Sequence, residues 1–418
     1  MMSLKLRTTD FSRKVIPFII LFLLVYPLKV KLLIPIHISL VLPALLFISN
    51  ITVNKRDKTN IAILTFFVFI ISFYVISLSI YHHTFDIGFI RYIVFQLFFV
   101  LSSIFVVYKY KLESRNVINI FLLVIFTDLI LAIVFKLSPE IMSIVQYPFY
   151  ISDINNEIYS SNLNTKFMGL GGQLFLGGVI AGYGVILSIY MYLNEGKKIY
   201  ILTFLISFIY GFLLSRSIII AIMLSLLLVA FYFIVQLRKG LINKRVILIT
   251  TFSVFFLVNM VFFLFIFKDY NVFFQWAFEI IDTLIFSEGE SNSINGLVGF
   301  YENFVTDQSM LILGNGIWSY SIESAGLDWV VDVGFLRVLY AFGLFMLVLY
   351  LAYNVVIFLF AYFASSDYLK RTLIFILFLY FIILSFKGFI NVSVMISMLA
   401  VSFYYENTYE NNGELGAK

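Results

Sequence analysis

Four basic residues stand at the ends of long apolar segments, where a charge is costly and is usually kept because it functions or is paired. Arg216 lies between two serines in a turn, Arg91 and Arg337 lie near the start of apolar segments, and Lys387 lies in a short turn. A guanidinium presents a planar fork that matches phosphate oxygens, and such pairing strengthens where water is scarce. Several of these cations at one depth would bind the diphosphate of a lipid whose tail lies in a bilayer.

Each of these cations also has a structural interpretation. A long basic side chain at a helix end can reach the headgroup region, or it can pair with a carboxylate such as Asp86, Asp128 or Asp332. Asp128 lies inside an apolar segment, so it would either orient one of the arginines or form a buried structural pair. Both interpretations remain open at the level of the sequence.

The segment 268–331 contains the acidic and aromatic residues that a glycan would need. It holds nine carboxylates and a single basic residue, Lys268. Carboxylates accept hydrogen bonds from sugar hydroxyls, and aromatic rings stack on the C–H faces of sugars, although the same composition suits an ordered cap over helices. The predicted aromatic contacts to a glycan are Trp318 and Tyr320.

Histidine and cysteine offer little further chemistry. The chain has no cysteine and three histidines, so no cluster predicts a metal site. His82 and His83 lie next to each other in a short loop and are candidates for a base or for an edge that binds the acceptor. No GxxxxGK[ST] motif for a nucleotide occurs, and Gly169, Gly171 and Gly172 do not make a GxGxxG. We therefore expect neither a metal nor a cofactor.

The composition identifies the class of protein that must position these residues. Of 418 residues, 62% are hydrophobic and 12% are charged, and the mean hydropathy is +1.03. Soluble domains carry about 25% charged residues, so soluble enzymes and disordered chains are excluded. The net charge of +5 is not gathered into one patch, and nucleic acid is not an expected partner. The pattern is typical of a membrane protein that crosses the bilayer several times.

Apolar segments predict an all-α bundle of about twelve transmembrane helices, because they are too long and too uniformly apolar for the strands of a barrel. The predicted spans are 15–28, 32–51, 61–80, 88–107, 116–136, 167–193, 199–214, 217–237, 246–267, 332–363, 372–386 and 388–405. The chain then divides into helices 1–9 with short loops (1–267), one large loop (268–331), and helices 10–12 with a tail (332–418). Within the large loop, 273–286 and 296–310 have the periodicity of short amphipathic helices.

The distribution of lysine and arginine predicts the orientation. With both termini in the cytoplasm, 19 of the 28 basic residues fall on the inner side. The basic N-terminus resembles a signal peptide, but no small-residue cleavage site follows, so we interpret it as an uncleaved first span. The two long connections, about 137–166 and 268–331, then face outward. ATP and nucleotide sugars are not supplied on that face.

Short motifs resemble a known family. They are Ser215-Arg216-Ser217 before a long apolar span, Leu313-Gly314-Asn315-Gly316 in the large loop, and Asp332-Val333-Gly334-Phe335-Leu336-Arg337 with Gly343 after it. Together with the topology they resemble the bacterial O-antigen and capsule repeat-unit polymerases, the Wzy family, and the related O-antigen ligases. One departure is that many relatives carry an arginine early in the large-loop helix, whereas 295–303 has none.

The resemblance implies a membrane glycosyltransferase with a GT-C-like fold in the cytoplasmic (inner) membrane. Its donor and acceptor would be glycans linked to undecaprenyl pyrophosphate, and a chain-length regulator and a flippase of the same pathway are possible partners. Arg216 would bind the donor diphosphate, with Arg337 and Arg91 as helpers. The implied reaction also needs a general base that deprotonates the acceptor hydroxyl. The candidates are Glu302, Glu323, Asp328 and Asp332, and the sequence does not rank them.

Other functions remain open. O-antigen ligases usually depend on a histidine in the large outer loop, and 268–331 has none, which favours the polymerase. A flippase or other transporter would place polar residues near the midplane and show repeated halves, and no such repeat is evident. A scaffold without chemistry would leave the outward arginines unexplained.

Overall fold

The structure is a computed structural model, and the part of the chain that it describes is helical apart from turns and three very short strands. It describes residues 15–26, 29–30, 36–48, 53–84, 86–150, 169–170, 174–215, 217–238, 247–248, 251, 255, 262, 266, 308–318, 334–365, 367–388 and 393–411. The longer helices are α1 Val15–Val25, α2 Ile38–Ile48, α3 Lys55–Tyr81, α4 Gly88–Tyr110, α5 Ser114–Leu137, α7 Leu174–Glu195, α8 Ile199–Leu214, α9 Ile218–Arg238, α11 Gly334–Ala364, α12 Tyr368–Ser385 and α13 Ser393–Asn411. Two short helices are α6 Pro139–Gln146 and α10 Gln308–Leu313.

Seven of these helices are long and apolar enough to cross a membrane, namely α3, α4, α5, α7, α9, α11 and α12. The prediction of a polytopic helical membrane protein is therefore confirmed. The count of twelve spans and the GT-C-like fold stay predictions. Most of the predicted span 246–267 lies outside the described residues. The amphipathic helices predicted in the large loop also lie outside them, except for 308–310.

The prediction of a span over 32–51 needs correction. The helix found there, α2, has 11 residues and contains Pro43, so at 1.5 Å per residue it is about 16 Å long, short of the roughly 30 Å of a bilayer core. The two residues directly before it, Ile36–His37, instead form a strand. β1 (Lys29–Val30) pairs antiparallel with both β2 (Ile36–His37) and β3 (Phe149–Tyr150). These pairings satisfy backbone groups that a helix would otherwise bond internally.

Successive long helices run in alternate directions, so the bundle has two distinct ends. We call the end that holds the 81–87 loop, Trp318 and the starts of α4 and α11 the loop end. We call the opposite end, where α4 and α11 finish, the basic end. Among the described cations, those predicted to lie inside share the basic end, and Arg91, Lys136, Arg337 and Lys387 share the loop end.

Ion pairs and hydrogen bonds connect the helices at the basic end. Glu406 of α13 accepts hydrogen bonds from the backbone N–H and the hydroxyl of Ser114, at 2.5 and 2.6 Å, and pairs with Lys370 at 2.7 Å. Glu195 pairs with Arg115 at 2.7 Å. A polar cavity of about 280 Å³ lies between these groups. Because a carboxylate at a helix N-terminus complements the helix dipole, Glu406 fixes the start of α5.

The helix α7 lies at the centre of the bundle, and 94% of its most apolar stretch is buried. Its glycines allow close packing, as the GxxxG at 178–182 predicts. A Cβ atom on Gly178 would overlap the Cβ atom of Ser215, and one on Gly182 would overlap the hydroxyl of Tyr380. The close approach sets the position of the turn that follows α8.

Candidate functional site

The helix α11 is broken at Gly343, and the break receives the end of the large loop. Gly343 has φ 77° and ψ −180° inside an otherwise helical segment. Backbone carbonyls near a break lose their helical partners and must be satisfied in other ways, especially at membrane depth. Here the backbone N–H of Asn315 donates to the Tyr340 carbonyl at 2.9 Å, and that of Gly316 donates to the Ala341 carbonyl at 2.7 Å. The Leu313–Gly316 motif therefore docks on the broken helix.

This docking leads directly to Trp318. The backbone N–H of Trp318 donates to Oδ2 of Asp86 at 2.8 Å, and the Thr84 hydroxyl donates to the Gly316 carbonyl at 2.8 Å. Both bonds join the large loop to the 81–87 loop. The indole ring packs against Phe89, with ring centroids 4.6 Å apart. Trp318 is only 7% exposed, so its ring offers little surface to a sugar.

Arg337 lies on Trp318. Its Nη2 donates to the Trp318 carbonyl at 2.7 Å, and its guanidinium carbon is 4.3 Å from the centroid of the indole ring. Contact with the face of an indole is favourable for a cation, more so where water is excluded. The guanidinium is half-buried and is held from two directions by one residue.

Lys387 belongs to the neighbouring part of the loop end. It follows α12 in a turn that ends at Gly388, and its ammonium lies 5.8 Å from the ring centroid of Phe175. A Cβ atom on Gly334 would overlap the Gly388 carbonyl, so the start of α11 touches this turn. The start of α11, which bears Arg337, is consequently in direct contact with the turn that bears Lys387.

The turn around Arg216 reaches the same end of the bundle. Arg216 itself lies outside the described residues, but the serines on either side are buried, and the hydroxyls of Ser215 and Ser217 are 2.8 Å apart. Ser215 packs against Gly178 of α7. Phe175, three residues earlier in the same helix, contacts Gly388. Contacts thus run from the Arg216 turn through the start of α7 to the turn of Lys387.

The remaining described candidates also lie at the loop end. Arg91 is exposed in the first turn of α4, 5.6 Å from the ring centroid of Phe95. His82 lies against Gly316, and its Nε2 is buried without a hydrogen-bond partner. His83 is exposed and has φ 55°. The adjacent histidines therefore have different surroundings, as expected of neighbours in a turn.

The structure brings six predicted site residues to one end, and five others lie outside the described residues. The six are Arg91, Arg337, Lys387, His82, His83 and Trp318. The five are Arg216, Glu302, Asp328, Asp332 and Tyr320. The roles of all eleven in catalysis or substrate binding stay predictions.

The contacts of Asp128 agree with the interpretation that this residue is buried and has a structural role. It is 2% exposed, its Oδ1 accepts the Leu170 backbone N–H at 2.8 Å, and its Oδ2 accepts the Tyr210 hydroxyl at 2.5 Å. Asp128 therefore joins α5 to α8 and to the segment that precedes α7.

Sequence reasoning gave Asp86 only a pairing role and overlooked Thr84. The pattern Asp86-x-Gly88 before a long apolar helix was the available signal, since an aspartate before a helix often accepts a backbone N–H. Its second bond, to a residue 232 positions away, has no local signature.

Within the described part of the chain, no group of three or more His, Asp or Glu side chains is arranged to hold a metal ion. The described cations of the loop end are Arg91 near the start of α4, Arg337 near the start of α11 and Lys387 in the turn after α12, and Arg337 is fixed on an indole. Comparison with protein-family models finds no match, and comparison with curated proteins finds none either.

Proposed function

We propose that this protein is a membrane glycosyltransferase that polymerises undecaprenyl-pyrophosphate-linked oligosaccharide repeat units. The product would be O-antigen or capsular polysaccharide, made on the outer face of the cytoplasmic membrane. The observation that carries the proposal is the convergence of cation-bearing turns at the loop end, with Arg337 held on Trp318. A lipid diphosphate at the membrane surface is the ligand for which such an arrangement is suited.

The proposal requires the loop end to face outward. The described cations predicted to be cytoplasmic all lie at the basic end, which supports this orientation. The chain has no native cysteine, so single cysteines can be labelled without background. Glu290→Cys should react with an impermeant maleimide in intact spheroplasts, whereas Ile242→Cys should react only after lysis. The reverse pattern would place the loop end in the cytoplasm and would remove the basis of the proposed site.

In the proposed reaction, a hydroxyl oxygen of the incoming repeat unit forms a bond to the anomeric carbon of the donor glycan. The bond between that carbon and the diphosphate oxygen breaks, and the diphosphate leaves with the electron pair. Arg216, with Arg337, Arg91 and Lys387, would stabilise the charge that develops on the leaving group. A carboxylate, for which Glu302, Asp328 and Asp332 are candidates, would take the proton of the hydroxyl.

The glycan itself would be bound next to these cations. His82, His83 and Tyr320 remain candidates for contacts to sugar hydroxyls and faces. The burial of Trp318 changes the role that we assign to it, because a ring covered by Arg337 and Phe89 is better suited to hold the cation than to stack on a sugar. A flippase and a chain-length regulator of the same pathway would deliver the substrates and set the product length.

The decisive experiment compares surface polysaccharide on gels from the native strain, a deletion strain, and the deletion strain rescued with wild type or variants. Arg216→Ala should leave a single repeat unit in place of a ladder, since losing one preorganised donor costs about 10²–10³ in rate. Arg216→Lys should retain part of the ladder, because an ammonium is a point charge. Arg238→Ala, a matched control at the basic end, should restore the full ladder.

Each alternative has its own signature in this experiment. Long lipid-linked chains without surface glycan would indicate a ligase. Single lipid-linked repeats accumulating on the inner face would indicate a flippase. A full ladder in Arg216→Ala, at normal membrane abundance of the protein, would refute the diphosphate role of Arg216.

A further inference from the structure

Asp86 connects three elements of the loop end through one carboxylate. Oδ1 accepts the backbone N–H of Gly88 at 2.8 Å, at the start of α4. Oδ2 accepts the backbone N–H of Trp318 at 2.8 Å, from the large loop. Hydrogen bonds to an ionised acceptor are about twice as strong as neutral ones, so this side chain holds Trp318 firmly against α4.

The second backbone group of Trp318 determines where Arg337 lies. The Trp318 carbonyl accepts from Nη2 of Arg337 at 2.7 Å, and the indole face contacts the same guanidinium. Any displacement of Trp318 therefore moves both contacts of Arg337 together. Asp86 bonds the backbone N–H of the same residue, so it restrains the position of Trp318 directly.

We propose that Asp86 is a positioning residue that holds Arg337 at the outer site through Trp318. The inference rests on the proposed function for its catalytic consequence, but the mechanical link from Asp86 to Trp318 and Arg337 does not depend on which reaction the site performs. A role limited to the start of α4 would need only the bond from Oδ1 to Gly88. The bond from Oδ2 to Trp318 is what the positioning role requires in addition.

The glycine at position 88 supports this assignment. A Cβ atom there would lie 2.8 Å from Cδ1 of Trp318 and 3.1 Å from Oδ1 of Asp86. The indole thus lies directly against the backbone at the start of α4, with no space for a side chain between them. Asp86, Gly88 and Trp318 form one packed contact, to which Arg337 is attached.

Thr84 provides a matched control. Its hydroxyl bonds the Gly316 carbonyl at 2.8 Å, so it joins the same two loops as Asp86 does. It bonds neither Trp318 nor Arg337 in the described structure. Thr84→Val keeps the shape of the side chain and removes one bond between the loops. A variant of Thr84 therefore reports the general cost of loosening the loops, without the specific effect on Trp318.

The first test follows Trp318 directly and needs no enzymatic activity. The chain has three tryptophans, and Trp276→Phe with Trp329→Phe leaves Trp318 as the only one in the full-length protein. In detergent, Asp86→Ala should move the emission of Trp318 to longer wavelength and increase its quenching by acrylamide. Asp86→Asn keeps one acceptor oxygen, so its emission should lie between those of wild type and Asp86→Ala. Arg337→Ala should also alter the emission because the cation contacts the ring. Thr84→Val should leave the emission unchanged.

The second test is a double-mutant cycle on polymer formation in the same background. Asp86→Ala should lower the rate about tenfold, as expected for the loss of one charge-assisted hydrogen bond. If Asp86 acts through Arg337, the double variant Asp86→Ala/Arg337→Ala should be no slower than Arg337→Ala alone. Thr84→Val should instead combine additively with Arg337→Ala.

The outcomes separate the two proposals. An unchanged Trp318 emission in Asp86→Ala overturns the positioning role, whatever the activity. An altered emission with an additive cycle also overturns it, because Asp86 then does not act through Arg337. If wild type forms no polymer, the proposed function fails, and the emission of Trp318 in the Asp86→Ala, Asp86→Asn and Thr84→Val variants still decides whether Asp86 holds this residue.

Discussion

Replacing Gly343 by alanine tests whether the large loop depends on the break in α11. At φ 77° and ψ −180°, Gly343 occupies a region of backbone conformation that is essentially restricted to glycine. A Cβ atom at this position would also overlap the carbonyl oxygen of Ile312, at the end of α10. The overlap is with backbone, so it cannot be relieved by rotating a side chain. Gly343→Ala must therefore move α10, straighten α11, or both.

The expected loss of stability follows from these two effects. The backbone conformation costs an alanine about 1–3 kcal/mol. Moving α10 away breaks the bonds from Asn315 and Gly316 to the carbonyls of Tyr340 and Ala341, at about 1 kcal/mol each. The sum is about 3–5 kcal/mol, a large share of the roughly 5–15 kcal/mol that stabilises a typical domain.

The assay is thermal unfolding of the purified protein in detergent, combined with the emission of Trp318 in the background that lacks the other tryptophans. Gly196→Ala is the matched control, because Gly196 has a similar φ of 72° but lies in a turn at the basic end. Gly343→Ala should unfold at a clearly lower temperature than Gly196→Ala, and it alone should expose Trp318 to acrylamide. Equal destabilisation by the two variants, with Trp318 still protected, would refute the docking of the loop on the break.

Two further predictions concern carboxylates buried in the bundle. Glu406→Ala leaves the ammonium of Lys370 and the N-terminus of α5 without their acceptor, so it should lower the free energy of unfolding by about 3 kcal/mol. Thermal unfolding should show a smaller loss of stability for the double variant Lys370→Met/Glu406→Met. Asp128→Asn should cost about 1–3 kcal/mol, because one donor, the Leu170 N–H or the Tyr210 hydroxyl, loses its acceptor. If Asp128→Asn abolishes polymer formation without lowering thermal stability, Asp128 orients a catalytic cation instead.

The sequence was sufficient for most of the helices, because their hydrophobic cores are continuous and depend on local composition. The predicted bounds of α8, 199–214, coincide with the observed helix, and α11 was predicted at 332–363 and found at Gly334–Ala364. The bounds of α11 agree, but the break at Gly343 was not predicted. A glycine within an apolar segment does not reveal its φ, which is set here by a loop segment that lies about thirty residues earlier in the chain.

Interactions between distant segments account for what the sequence did not predict. Next to the predicted span at 32–51, Lys29 pairs with both His37 and Tyr150. Two-residue strands carry no periodicity from which to recognise them. The same limit applies to the site. Residue type and location near a helix end identified Arg91, Arg337 and Lys387 as candidates, whereas the bond from Asp86 to Trp318 depends on how two loops meet.

The segment 313–318 makes two sets of contacts at the loop end, and their combination holds Arg337 in place. Its glycines dock on the break of α11, and its tryptophan then contacts Arg337. Arg337 belongs to the same helix, six residues before Gly343. The loop thereby fixes both the helix and the side chain that the helix presents. In the proposed reaction, the diphosphate leaving group would need donors that are already in place when its charge develops. A loop bound at Gly343 and at Asp86 meets that need, whereas one attached at a single point would allow Arg337 to move with it.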